Sequence, residues 1–151
     1  MNIKFCGAAR QVTGSSHLVT LDNGFKILLD CGLFQGSYDK DLVLNSSFLF
    51  NPAEIDCVVL SHAHIDHSGR LPKLVKEGFK GPIHATHATR SLCTIMLLDA
   101  AHIQEKDAEY FNQKNERRHS EEGVTLRDAL YTSQDVDQAM KLFVGYSYDQ
   151  W

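Results

Sequence analysis

Six consecutive residues hold most of the chemistry this chain could perform. In Ser61-His62-Ala63-His64-Ile65-Asp66-His67-Ser68-Gly69, ligand-type side chains stand at positions 62, 64, 66 and 67. Three imidazoles and a carboxylate are borderline donors of the kind Zn²⁺ prefers, with Mn²⁺ and Fe²⁺ as alternatives. At this chain's His and Asp frequencies, the pattern H-x-H-x-D-H arises by chance in about two of a thousand chains of this length, so mere loop decoration is the weaker reading. Residues two apart on extended backbone project to one side, so His62 and His64 can converge on one ion. Asp66 and His67 fall where the chain turns into a helix, and there they can diverge toward a second. Two ions about 3.5–4 Å apart can share a water, lower its pKa toward ~7 and steady both oxygens of an in-line displacement. Asp66 is close enough to orient or deprotonate that water.

The elements that must position these residues are short. Asn2 to Ala8, Ser16 to Leu21 and Phe25 to Leu29 are apolar strand candidates, with Asp22-Asn23-Gly24 as a hairpin signal between the last two. Leu33 to Pro52 reads as irregular. The nearly continuous apolar run Ile55 to Leu60 suits a strand buried on both faces, and it leads directly into the histidine cluster. Asp30 ends the third strand candidate. It is either a turn or cap aspartate or an acceptor that fixes the tautomer of a ligand imidazole.

Past the cluster, strand and helix alternate. Leu71, Leu74 and Val75 place a short helix over Ser68 to Glu77, ended by Gly78 at the C′ position. Pro82 to Ala85 is a brief strand. Ala88 to about Arg118 then reads as one long helix, apolar nearly all round in its first half. Asn115 to Thr132 is a polar connection. Thr132-Ser133-Gln134-Asp135 supplies capping chemistry for a last helix carrying Val136, Ala139, Met140 and Phe143. Leu142 to Gly145 begins what could be another strand. The fold class is α/β.

Composition narrows the partners. The chain has 151 residues, 43% of them hydrophobic, and 15 basic against 19 acidic side chains give a net charge of −4. That suits one domain with a real core. It excludes a basic coat that binds nucleic acid by charge alone. No apolar run approaches the ~20 residues of a membrane-spanning helix. The first ten residues have no apolar h-region, so no signal peptide is expected. Cys6, Cys31, Cys57 and Cys93 form no C-x-x-C pair and lie in apolar segments, which reads as reduced thiols in a cytoplasmic protein.

Taken with their flanks, these residues resemble the metallo-β-lactamase fold superfamily, and within it the β-CASP RNA-processing nucleases. The resemblance rests on Leu28-Leu29-Asp30-Cys31-Gly32 and on Ser61 through Pro72. Gly7 through Ser16 and Asp99-Ala100-Ala101-His102-Ile103-Gln104-Glu105 add weaker support. It implies an αββα sandwich with two zinc ions at one sheet edge, a β-CASP domain inserted later, and RNA bound in the cleft between them. His62 and His64 would hold the first zinc, and Asp66 and His67 the second. Asp66 would also act catalytically, and Asp30 would support the site. The family pattern further requires a third histidine in a Gly-His-rich turn, a bridging aspartate and a late histidine, and no such segment is present. Residues 1–151 are therefore expected to be the N-terminal portion of a catalytic domain, an incomplete sandwich lacking the β-CASP insertion and inactive alone.

On this reading the full-length protein is a di-metal hydrolase with RNA as substrate. A small-molecule ester, thioester or lactam hydrolase of the same superfamily, or a non-catalytic folding or interaction unit, are the alternatives. A homo-oligomer is left open. The remaining histidines carry less. His84 and His87 flank a strand-to-helix junction, where satisfaction by backbone groups is commoner than metal binding. His17 reads as structural, and His102 and His119 as packing or solvent-facing residues. Arg117-Arg118 end the long helix as its dipole favours. The charges of its second half, including Glu105, read as a solvated face.

Overall fold

A computed structural model describes residues 1–118 and 126–149. Six strands form one sheet in sequence order: β1 (Asn2–Phe5), β2 (His17–Thr20), β3 (Lys26–Leu29), β4 (Cys57–Val59), β5 (Ile83–Thr86) and β6 (Phe143–Tyr146). The first three pair antiparallel, and β3 to β6 run parallel. The expected hairpin joins β2 to β3. Gly24 takes φ +87°, and the Leu21 N–H donates to the Phe25 carbonyl at 2.9 Å.

Register explains the burial pattern. Leu18, Leu28, Val58, Ile83 and Phe143 pair across the sheet and therefore share one face. All five are buried, against Leu71 and Leu74 of α3 (Leu71–Lys76), Cys93, Leu97 and Ala101 of α4 (His87–Arg118), and Val136 of α5 (Ser133–Lys141). Residues one position along face the other way. Phe5, Leu29, Val59 and Val144 lie in one row there and are 65%, 38%, 42% and 40% exposed. The described residues thus build one helical and one sheet layer, half of the αββα arrangement. Because β3, β4 and β5 are parallel, their C-terminal ends share an edge, and Asp30, the Ser61 loop and the start of α4 gather there. Such an edge is the usual place for a site in a sheet of this kind.

Three expectations change. The stretch Leu33 to Pro52 is not wholly irregular, since α1 spans Tyr38–Ser46. It has little apolar periodicity and is held from outside. Asn45 pairs with both backbone groups of Phe34, and Arg70 donates to the Leu44 and Ser47 carbonyls. The helix expected over Ser68 to Glu77 starts later, as α3, while Ser68 ends a separate short helix, α2 (Ile65–Ser68), parted from it at Gly69-Arg70. Pro72, in the first turn of α3, lacks the N–H that a continuous helix would need. Glu105 is not simply solvated, because it accepts from the N–H and hydroxyl of Ser133 at the start of α5.

Other readings match closely. Gly78 ends the α3 segment with φ +111°. Thr132 caps α5 in a reciprocal box with Asp135. The four cysteines are buried free thiols. Among the described residues no helix is long and apolar enough to cross a membrane. His119 and the side chains of Arg117 and Arg118 lie outside the described residues.

Register supplies a discriminating test. Leu28→Ala is expected to cost about 2–5 kcal/mol of stability because it opens a cavity beneath the helices. Leu29→Ala, on the open face, should cost less than about 1 kcal/mol. Urea unfolding of the two variants distinguishes them, and equal losses would contradict the assigned faces.

Candidate metal centre

Asp30 organises this edge. It follows β3 in the left-handed region with φ +58° and is 7% exposed. Aspartate is among the few residues that tolerate this backbone conformation. The bend swings its carboxylate toward the end of β4. There Oδ1 accepts from the Ser61 N–H at 2.8 Å, and Oδ2 accepts from the Ser61 and Ser15 hydroxyls at 3.0 and 3.1 Å. His67 Nδ1 lies 2.8 Å from the same Oδ2. With Nδ1 engaged as a donor, Nε2 is the imidazole lone pair left free to ligate.

The cluster is assembled from a loop and one helical turn. His62 lies in the loop after β4. His64 is the N-cap of α2, and its carbonyl accepts from the His67 and Ser68 N–H groups, both at 2.9 Å. Asp66 and His67 are residues of α2 itself. The His62 and His64 rings are 4.7 Å apart between centroids, edge to face, as expected of alternate residues on extended chain. The His67 ring comes to 4.0 Å from that of His62, with its Nδ1 held by Asp30. The Ser61 hydroxyl stands between them, 3.0 Å from His62 Nδ1 and 3.4 Å from His67 Nδ1.

Whether these residues suit a cation follows from donor type and spacing. His67 Nε2 and Asp66 Oδ2 are 3.6 Å apart. Two donors each about 2.0–2.1 Å from one tetrahedral ion stand roughly 3.3 Å apart, so this pair is nearly spaced to share one. Among the described residues, no three His, Cys, Asp or Glu side chains already converge as a complete cage. The donor set fits; a full set of ligands around one point is not present. Burial and the neighbouring His67 and His64 rings hold the His62 imidazole below its ordinary value of 6.5, despite the opposing carboxylates of Asp30 and Asp66. That favours the neutral, ligating form.

Sequence reasoning named Asp30, His62, His64, Asp66 and His67, and the structure brings all five to one edge. It missed Ser15 and Ser61, whose hydroxyls hold Asp30. Ser61 opens the cluster and Ser15 lies in the Gly7 to Ser16 stretch, but nothing local shows that either meets Asp30. His84 and His87 stand apart from this network. His84 Nδ1 meets the Tyr146 hydroxyl at 2.8 Å, a side-chain partner rather than the backbone one expected. The His87 ring covers Gly145, where a Cβ would lie 2.4 Å from Nδ1.

Comparison with known proteins shows the family. The description of the metallo-beta-lactamase superfamily matches residues 9–132. The chain belongs to that superfamily.

This chain is 50% identical over 106 residues to "Ribonuclease TTHA0252" of Thermus thermophilus, covering 70% of this chain and 24% of that protein. It is 28% identical over 148 residues to "Transcription termination factor FttA" of Methanocaldococcus jannaschii, covering 98% and 20%. It is 38% identical over 98 residues to "Integrator complex subunit 11" of Danio rerio, covering 62% and 16%. The chain thus spans about a quarter or less of the length of these curated relatives. Among solved structures it is similar to the Rm3 metallo-beta-lactamase at 27% identity and TM-score 0.42, over 60% of this chain and 31% of that one.

Two outcomes test the centre. Asp30→Ala strands the Ser61 N–H and two hydroxyls and should cost about 2–3 kcal/mol in urea unfolding. Asp30→Asn tolerates the same φ and keeps one acceptor, so it should cost about 1 kcal/mol. The His62 ring, followed by NMR in the metal-free chain, should titrate below 6.5. Its folded value is depressed, so the unfolded chain binds the extra proton first. Stability should therefore fall as the pH drops from 6.5 toward the lower folded midpoint. A His62 midpoint above 6.5 would contradict the arrangement.

Proposed function

We propose that residues 1–151 are the N-terminal, metal-binding portion of the catalytic domain of a β-CASP-type di-zinc RNA phosphodiesterase. In this reading the full-length protein is cytoplasmic and cuts RNA as an endonuclease, a 5′ exonuclease or both. One observation carries the proposal: the His62 ring lies 4.7 Å from that of His64 and 4.0 Å from that of His67, with Asp66 beside His67, on the shared edge of parallel strands. The likeness to "Ribonuclease TTHA0252" supports RNA as the substrate class.

His62 and His64 would hold one ion, and Asp66 and His67 the other. Zinc bound there would supply Lewis acidity, making water nucleophilic near neutral pH and offsetting charge on the phosphoryl oxygens. The protein's own contribution is positional. Asp30 presents His67 with Nε2 outward, and the Ser61 N–H and hydroxyl hold the Asp30 carboxylate in that direction. Asp66, with its side chain 23% exposed, stands at the rim, where it can orient the attacking water and take its proton. The first ion has only two evident protein ligands, so the isolated chain is inactive in this proposal and its site is completed by residues elsewhere in the full-length protein. The exposed side chains Phe5, Leu29, Val59 and Val144 on the open sheet face support the same view.

In the full-length protein, Asp66→Asn should lower cleavage of a labelled single-stranded RNA by about 10²-fold or more, with circular dichroism unchanged. Cleavage at the wild-type rate would refute the role of Asp66. Turnover of an ester or lactam by a protein that leaves RNA intact would refute the substrate. Metal analysis of residues 1–151 should find fewer than two tightly held zinc ions per monomer, and two would contradict the incomplete site.

A further inference from the structure

Arg70 immediately follows the histidine cluster and takes no part in the chemistry above, yet it is one of the most deeply buried side chains, 2% exposed. Among the described residues, its three side-chain hydrogen bonds end on main-chain carbonyls. Nε donates to Gly32 at 2.7 Å, and one terminal nitrogen donates to Leu44 and Ser47, each at 3.3 Å. The guanidinium carbon lies 4.8 Å from the Phe34 ring centre and 4.9 Å from that of Phe48. Burying a cation costs free energy unless its donors find partners, and here Nε and one terminal nitrogen find backbone carbonyls while two aromatic rings flank the guanidinium.

The carbonyl that Arg70 holds most closely belongs to the segment against which the cluster rests. Gly32 packs so tightly on α2 that a Cβ would lie 1.6 Å from the Asp66 carbonyl oxygen. Around that contact, the Cys31 N–H donates to His67 at 2.7 Å and the Leu33 N–H to Ile65 at 3.0 Å. The Ser15 N–H donates to Asp66 at 2.8 Å, and the Gly32 N–H to Ser15 at 2.8 Å. The Arg70 N–H closes the same ladder on the Cys31 carbonyl at 2.8 Å. The residues after β3 and the residues of α2 are thus laced together, and Arg70 grips the lace from behind with both main chain and side chain.

We infer that Arg70 is a positioning residue for the metal cluster: by fixing the Gly32 carbonyl it sets the height of α2 against the β3 exit, and so the placement of Asp66 and His67. The metal part of this inference rests on the proposed function; the backbone part does not. A lysine keeps the charge but lacks the planar fork that meets several carbonyls while stacking between two rings. Arg70→Lys therefore separates charge from geometry.

The test uses the 151-residue chain and two readouts. In amide hydrogen exchange, Arg70→Lys should lower protection at Ser15, Cys31 and Leu33 by about tenfold or more relative to the wild type, while strand amides such as Leu28 and Val58 change little. In a titration with Co²⁺ followed by its visible absorption, the variant should bind about tenfold more weakly with an altered band, as supporting contacts around metal ligands usually require. Unchanged protection at those three amides, or a uniform change across all amides, overturns the inference. Should Arg70→Lys fail to fold, Phe48→Leu removes one stacked ring and keeps the hydrogen bonds. The same three amides must then lose protection first, and any other order overturns the inference. A wild-type chain that takes up no Co²⁺ refutes the metal reading alone, since the exchange pattern still decides the role of Arg70.

Discussion

A single buried carboxylate governs the working edge of this molecule. Asp30 sits where β3 must turn, in a backbone region most side chains avoid, and there it collects a main-chain N–H, two hydroxyls and an imidazole. Its burial is tolerable because every near neighbour can donate to it. The same contacts tie the exits of two adjacent parallel strands, since the Asp30 N–H also donates to the Val59 carbonyl at 3.1 Å. Strand pairing, the bend and the orientation of His67 are therefore one cooperative unit. Loss of the carboxylate would release all three.

Around that unit the chain uses close backbone approach in place of side-chain bulk. Gly32 lets the segment after β3 lie directly on the carbonyl of Asp66, and Gly7 lies against the Gly14 carbonyl at the base of the loop that carries Ser15. These contacts leave no slack, so a small displacement at one segment is passed to the next. A ligand cluster gains from such stiffness, because donor atoms must be held within a few tenths of an ångström to share an ion. Arg70 and the rings of Phe34 and Phe48 supply the rigid backing.

The two faces of the sheet divide the remaining work. One is sealed by α3, α4 and α5 and supplies the hydrophobic core. The other presents Phe5, Leu29, Val59 and Val144 partly open. Stability comes from the first, while the second agrees with a chain that spans a quarter or less of its curated relatives. The site lies at the edge common to both faces, where Asp30, His62, His64, Asp66 and His67 gather.

Much of this was legible from local pattern. The spacing of His62, His64, Asp66 and His67, the Asn23-Gly24 turn, the Thr132 cap and the run from His87 to Arg118 depend on contacts within a few residues, and short-range periodicity and turn chemistry record such contacts directly. The sequence alone therefore determined the class of fold, the superfamily and the five side chains of interest. What it could not determine depends on segments that meet only after folding. The helix Tyr38–Ser46 is held by Asn45 and Arg70 rather than by its own apolar stripe, Glu105 turns inward to a serine 28 positions away, and His67 leans toward His62 because of a carboxylate 37 positions earlier. Local propensity contains no trace of such pairings. Only the tertiary structure, by bringing the ends of β3 and β4 to a single edge, decided which donors face one another.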